Sequence, residues 1–289
     1  MVAAIIIYLT ILLFSIVFFK LFEKKLIIPK ERFSNYTLAG KNQSFFSVYF
    51  SLISAMIGAS ATLGTADKVV QIGFSAFWWL CVGGIALILQ GIFISEKIKQ
   101  IDAHTLADLA SKVLCKKIGK LIAFIIAVSW VGIIAAQFVS LSKLLSVITN
   151  ENYRKILLIV VLFTIVFTVI GGQSGIIKSN IFQGLIIFVA TIGVAIWCVL
   201  KNKGFVNFNL DLCGNKSINF KSITVLFFIT GGAYFLGPDI ISRTLIAQDN
   251  FTAKKASFFA GISLIIFSVL ITFISICGVG FMNLKQVDL

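Results

Sequence analysis

The run from Ser44 to Ala66, SFFSVYFSLISAMIGASATLGTA, holds no Asp, Glu, Lys, Arg or His over 23 residues. That exceeds the roughly 20 residues with which a helix crosses the hydrocarbon of a bilayer. Unpaired backbone groups are so costly in lipid that such a run must be helical; barrel strands would be half as long and would alternate. Its middle is unusual for a packing helix, because Ser54, Gly58, Ser60, Thr62, Gly64 and Thr65 stand where Leu, Ile, Val and Phe are the ordinary choice. Gly in a helix interior is about 1 kcal/mol worse than Ala. Two readings fit this stretch. One is a close helix contact of the small-xxx-small kind. The other is a helix broken near Gly58, in which hydroxyls satisfy released carbonyls and the break lines a ligand.

Seven further charge-free runs lie at roughly 3–19, 69–95, 121–142, 156–177, 179–200, 222–238 and 256–284. The chain is therefore read as an all-α integral membrane protein with about eight transmembrane helices. Composition agrees, since 59% of its 289 residues are hydrophobic and 12% charged, against about 25% charged in a soluble domain. Disorder, collagen and a small disulfide scaffold are excluded by the same figures. The net charge of +14 sits between apolar runs, so it is loop charge and no nucleic-acid partner is expected.

The first run has no Lys or Arg before it and Lys20, Lys24 and Lys25 after it, which reads as an uncleaved helix with its N-terminus outside. Threading eight spans from there puts 16 of the 25 Lys and Arg residues in the cytoplasm, as the positive-inside rule asks. The expected location is the cell's inner (cytoplasmic) membrane, multi-pass. Cys81, Cys115, Cys198, Cys213 and Cys277 lie far apart without a C-x-x-C pair and read as packing residues. His104, the one histidine, has no partner at metal-ligand spacing. No nucleophile elbow, H-E-x-x-H, phosphate loop or in-membrane acid/base pair is present, so an enzyme is not expected.

The seventh run repeats the oddity of the second, with Thr230-Gly231-Gly232-Ala-Tyr-Phe-Leu-Gly237-Pro238 directly before Asp239. Two Gly-interrupted apolar segments in corresponding places of two halves point to a secondary-transporter site, where half-helix ends and bare carbonyls hold substrate and ion near the midplane. Asp239 and Arg243 are four apart and share a helical face, as a structural anchor or as a ligand pair. Asp67 with Lys68 reads as a solvated turn or an outer gate. Trp130 and Gln137 are seven apart on the fourth run, and Phe227 and Tyr234 seven apart on the seventh; each pair forms one stripe, for packing or for substrate. The two rings of the second stripe suit a cationic amine.

Gly171-Gly172-Gln-Ser-Gly175-Ile-Ile-Lys-Ser179-Asn180-Ile-Phe-Gln183 joins the fifth and sixth runs, and here the chain resembles the sodium:solute symporters, whose members share a Gly-Gly turn followed by Thr-Asp-x-x-Gln. Asn180 stands where the family has Asp, a lost charge with a capping side chain kept. Tyr36-Thr-Leu-Ala-Gly40-Lys41, Thr105-Leu-Ala-Asp108 and Gly237 through Asn250 are similar to further motifs of that family in the same order. Ser60-Ala-Thr-Leu-Gly64 is similar to members that carry amino acids, choline and related compounds.

The resemblance implies an inverted-repeat (LeuT-type) transporter core. Residues 1–43 would be a leading helix and linker, 44–200 the first five-helix repeat, 201–221 an external loop, and 222–289 the first two helices of an incomplete second repeat. It implies sodium-coupled symport of a small organic solute, an amino acid such as proline first, choline, betaine or pantothenate next. Sodium would sit on carbonyls near Ile53 and Met56, and substrate on Gly58, Ser60, Trp130, Gln137, Gly232 and Tyr234. Partners would be the solute, the bilayer and a separately encoded C-terminal half. The chain ends before the family's third helix of the second repeat, so a split or truncated symporter is the alternative, and a membrane sensor or interaction module a further one. On this reading the chain alone folds as a resistant core over about residues 36–200 with a labile C-terminal pair, and neither transports nor responds to sodium.

Overall fold

A computed structural model describes residues 39–101, 103–201 and 218–287; the first expected span and most of the expected external loop lie outside them. Among the described residues every regular element is helical, and the chain is an all-α multi-pass membrane protein. Six helical stretches are long and apolar enough to cross a bilayer: Ala61–Phe93, Lys116–Thr149, Tyr153–Gln173, Gly175–Lys201, Phe220–Leu245 and Asn250–Gly280, with Phe45–Met56 shorter.

The second run divides. Helix α1 (Phe45–Met56) ends at Ile57, and α2 (Ala59–Ile72) starts from Gly58, whose φ of −103° and ψ of −169° are extended. The break expected near Gly58 is there. The turn expected at Asp67–Lys68 is not: both residues are inside α2, where the exposed Asp67 carboxylate accepts Gln71 Nε2 at 2.9 Å. Charges at the watery end of a helix need no turn to stay solvated. The chain reverses at Gly73 instead, at φ 63° and ψ −142°, a conformation that only glycine takes without strain. A tight 3-10 turn (Gly73–Phe77) leads into α3 (Trp78–Phe93).

Short helices α4 (Ser95–Gln100) and α5 (Leu106–Val113) follow, then the long α6 (Lys116–Thr149). Thr105 caps α5 by accepting the Asp108 amide at 3.1 Å, while Asp108 accepts the His104 amide at 2.9 Å, a near relative of the capping box. Helix α7 (Tyr153–Lys201) holds the fifth and sixth spans, and the expected Gly-Gly turn is its kink at Gly172, φ 55° and ψ −170°. The seventh span is α8 (Phe220–Leu226), a wide π turn (Phe227–Gly231), α9 (Gly232–Leu236), an extended Gly237 with ψ 140°, and α10 (Pro238–Leu245) with proline in its first turn. Last comes α11 (Asn250–Val287).

Helix α11 lies at the centre, antiparallel to α3. Ser268 Oγ reaches Phe77 O at 2.6 Å near one end and Ser95 Oγ meets Ser257 Oγ at 3.1 Å near the other. Between them the backbones nearly touch: a Cβ on Gly84 would stand 2.8 Å from Gly261 O, and one on Gly261 2.6 Å from Gly84 O. Tyr49 Oη to Ser263 Oγ at 2.6 Å and Phe45 edge-on to Phe259 run α1 parallel to α11. One buried cluster unites Leu52 and Ile53 of α1, Leu80 and Leu87 of α3, Ile177 of α7 and Leu264 and Phe267 of α11. The eighth span of the expected C-terminal pair thus has packing partners inside the bundle. The small residues of the eighth span are filled by the third, and in lipid such close packing is what holds helices together.

Asp249 caps α11: its carboxylate accepts the Thr252 amide at 2.7 Å and the Thr252 hydroxyl at 3.1 Å. The bond from the Thr252 amide, first among its interactions, holds its pKa below the ordinary carboxylate value. A lowered folded pKa stabilises above the unfolded value, about 3.9, and that contribution fades as pH falls through the folded value. Thermal melts of the wild type and Asp249→Asn should therefore differ at pH 7 and converge only as pH falls below the ordinary carboxylate range. A gap that persists in acid would show that the cap's charge is irrelevant.

Candidate functional site around the two helix breaks

At the first break the Ile57 amide still bonds Ile53 O at 2.9 Å, but the Ala61 amide, which an unbroken helix would give to Ile57 O, bonds Gly58 O at 3.1 Å. Thr62 Oγ1 adds to Gly58 O at 3.2 Å. The carbonyl at the end of α1 thus loses its helical partner, while α2 presents its first-turn amides from the other side. Carbonyls facing one way and amides the other make a pair of half-helix ends, suited to a cation and an anion respectively.

Gln137 lies across this break from α6: a Cβ on Gly58 would meet its Oε1 at 3.6 Å and its Nε2 at 3.9 Å. Two candidates distant in sequence are thereby brought together. Ile53 and Met56 are buried in the main cluster at the end of α1. Ser60 falls in the first turn of α2, and its side chain is outside the described part. Trp130 is half-buried on α6, two turns before Gln137. Tyr234 is half-buried too, with its ring against α3, where a Cβ on Gly83 would stand 2.9 Å from Cδ2. That contact is a packing role for one of the two rings expected to suit a cationic amine. Gly232 is exposed with nothing within 4 Å of its Cβ position, and its neighbour Gly231 is the buried one, where a Cβ would meet Ala86 Cβ at 3.4 Å. The structure does not bring Gly232 to the first break.

Just below the break lies a polar cluster that the sequence did not reveal. Ser54 Oγ donates to Asn180 O at 2.7 Å, and Asn180 Nδ2 donates to Ser51 Oγ at 3.3 Å. Asn180 is buried inside α7, so its expected capping role is corrected: the side chain ties α7 to α1. Arg243 of α10 donates Nε to Ser51 O and Nη1 to Asp239 O, both at 3.0 Å. It is an anchor, and its partners are two backbone oxygens. Ser51 and Ser54, three apart in the second run, were the one legible sign of this cluster.

Among the described residues, no group of three or more His, Cys, Asp or Glu is placed to hold a metal. Any cation at the break would rest on neutral oxygens.

The sequence model of the sodium:solute symporter family matches residues 36–285. A sodium/proline symporter of Staphylococcus aureus is 25% identical over 238 residues, which cover 77% of this chain and 46% of that protein. A sodium/glucose cotransporter of Vibrio parahaemolyticus is 25% identical over 254 residues, covering 78% and 46%. The chain thus spans about half the length of these relatives.

Proposed function

Because the chain belongs to the sodium:solute symporter family, we propose that it works in the sodium-coupled symport of a small organic solute. An amino acid such as proline comes first, choline, betaine or pantothenate next. The observation that carries this reading is the break at Ile57–Gly58 with Gln137 across it. Sodium, as cargo, would rest on carbonyl oxygens at the end of α1 around Ile53, Met56 and Ile57. The solute's carboxylate or other polar group would meet the first-turn amides of α2 at Gly58 to Ser60, with Gln137 hydrogen-bonding beside it and Trp130, on the same stripe of α6, walling the space.

Ion binding would fix the angle between α1 and α2, and coupling is then the difference in affinity of two states of that angle. Helices α1 to α7 would form one repeat and α8 to α11 the start of an inverted second one. The basic end of the bundle would face the cytoplasm of a cell's inner membrane, with the N-terminus outside.

Binding of radiolabelled proline, choline, betaine and pantothenate to the purified chain in sodium and in potassium chloride tests the proposal. One solute should bind at least about tenfold tighter in sodium, and Gln137→Ala should weaken it about tenfold, the loss of one hydrogen bond of about 1 to 1.5 kcal/mol. If sodium changes none of the four, the symporter reading is lost.

A further inference from the structure

At the start of α11 two hollows of about 410 and 610 Å³ share Phe251, Lys255 and Phe259 as walls. Their size is that of a small-molecule site, yet they lie well away from the helix breaks. Phe46 (64% exposed), Phe251 (63%) and Phe259 (45%) make an open aromatic trough. Lys254 and Lys255 are exposed at its rim, and Lys255 Nζ stands 4.1 Å from the centre of the Phe251 ring. One helical turn separates Lys255 from Phe259, so charge gives way to apolar surface over about 6 Å along α11.

This is the basic end of the bundle. Lys97 and Lys99 of α4 are beside it, with Lys99 Nζ bonded to Leu245 O at 3.0 Å, and the bridge between Gln43 and Ala247 brings Lys41 to the same end. Of the two hollows, the smaller includes Glu96 in its wall, whereas the larger has Lys255 as its one charged residue. The α11 amides do not supply the anion site, since Asp249 already caps them.

We propose that the larger hollow is a binding site for an anionic phospholipid of the leaflet at this end, its acyl chain in the aromatic trough and its phosphate on Lys255, the lysine that walls it, with Lys254 of the adjoining smaller hollow adding its charge at the rim. A free phosphate would leave the aromatic surface bare, and a zwitterionic lipid would bring its own cation to two lysines. Basic sites between helices at a membrane face favour anionic headgroups, each lysine contributing enough for about a fivefold change in affinity.

Native mass spectrometry of the full chain, titrated with dioleoylphosphatidylglycerol and separately with dioleoylphosphatidylcholine, reads the site directly. The wild type should take up one phosphatidylglycerol at least about tenfold more tightly than phosphatidylcholine, without competition from inorganic phosphate. Lys254→Gln with Lys255→Gln should lose about 30-fold in phosphatidylglycerol affinity and keep its phosphatidylcholine affinity, while the paired Arg replacements retain both. Lys116→Gln with Lys117→Gln, on α6, should bind as the wild type does. Equal affinity for the two lipids in the wild type, as would follow if a protein segment fills the trough, overturns the proposal. So does undiminished phosphatidylglycerol binding in the double Gln variant.

Discussion

Gly261→Leu should unfold or disassemble the helix bundle, the largest stability effect expected from any single substitution described here. The Cβ alone would come 2.6 Å from Gly84 O and 2.8 Å from Ile88 N. Both are backbone atoms of α3, which cannot swing aside as a side-chain tip does. Overpacking a well-filled core costs about 1–3 kcal/mol and occasionally more. Here α3 and α11 would have to separate along the contact that Ser268–Phe77 and Ser95–Ser257 bracket. Separation would also open the buried cluster at Leu264 and Phe267. In lipid no hydrophobic force restores lost helix contact, so the loss is not recovered by another packing. Gel filtration in mild detergent should show aggregate in place of a monodisperse peak, with Gly278→Leu, where nothing stands within 4 Å of the Cβ position, as the folded control. A monodisperse Gly261→Leu protein with an unchanged melting temperature would show that the two helices are not in close contact.

Arg243→Met should come second, costing about 2–4 kcal/mol and abolishing solute binding. It removes donors from two carbonyls, Ser51 O and Asp239 O, and a hydrogen bond to a charged group contributes about 1.5–3 kcal/mol. Lysine is not an adequate replacement, because its single ammonium does not reproduce a planar fork that serves two oxygens in fixed directions. Arg243→Lys should therefore keep the fold and lose at least about tenfold in affinity. The melting temperature separates the two effects: a large drop for Met, a small one for Lys. If Arg243→Met binds solute as the wild type does, the anchor is only a packing element of α10.

The helices themselves were legible because lipid leaves the backbone no alternative; the small and hydroxyl residues around Gly58 left a break and a close helix contact both open, and the second Gly-interrupted run favoured the break. Gly172 was legible as a turn. What sequence could not supply was partners. Gly84 and Gly261 carry no local mark that distinguishes them from Gly64, whose Cβ position meets nothing within 4 Å; only the three-dimensional approach of α3 and α11 does. The neighbours of Asn180 in the chain suggest a cap, whereas its partner Ser51 is 129 residues away. At Asp67 and Lys68 charge marks no helix end, because α2 carries both on its surface as far as Ile72. Of the candidate site, Gly58 and Gln137 meet, and Gly232 stands apart because the π turn and Gly231, not Gly232, face α3.

The isolated bridge of Gln43 with Ala247, made by Gln43 N to Ile246 O and Gln248 N to Gln43 O, both at 3.0 Å, has a mechanical consequence. Arg243 already pins α1 to α10 at Ser51, eight residues further along the chain. A rod held at one point pivots freely; a rod held at two points that far apart can only twist about the line joining them. Helix α1 and the end of the seventh span therefore behave as one lever. Any tilt that opens the Gly58 break must carry α10 with it, and the work of the motion falls on the non-helical backbone at Gly58 and Gly237.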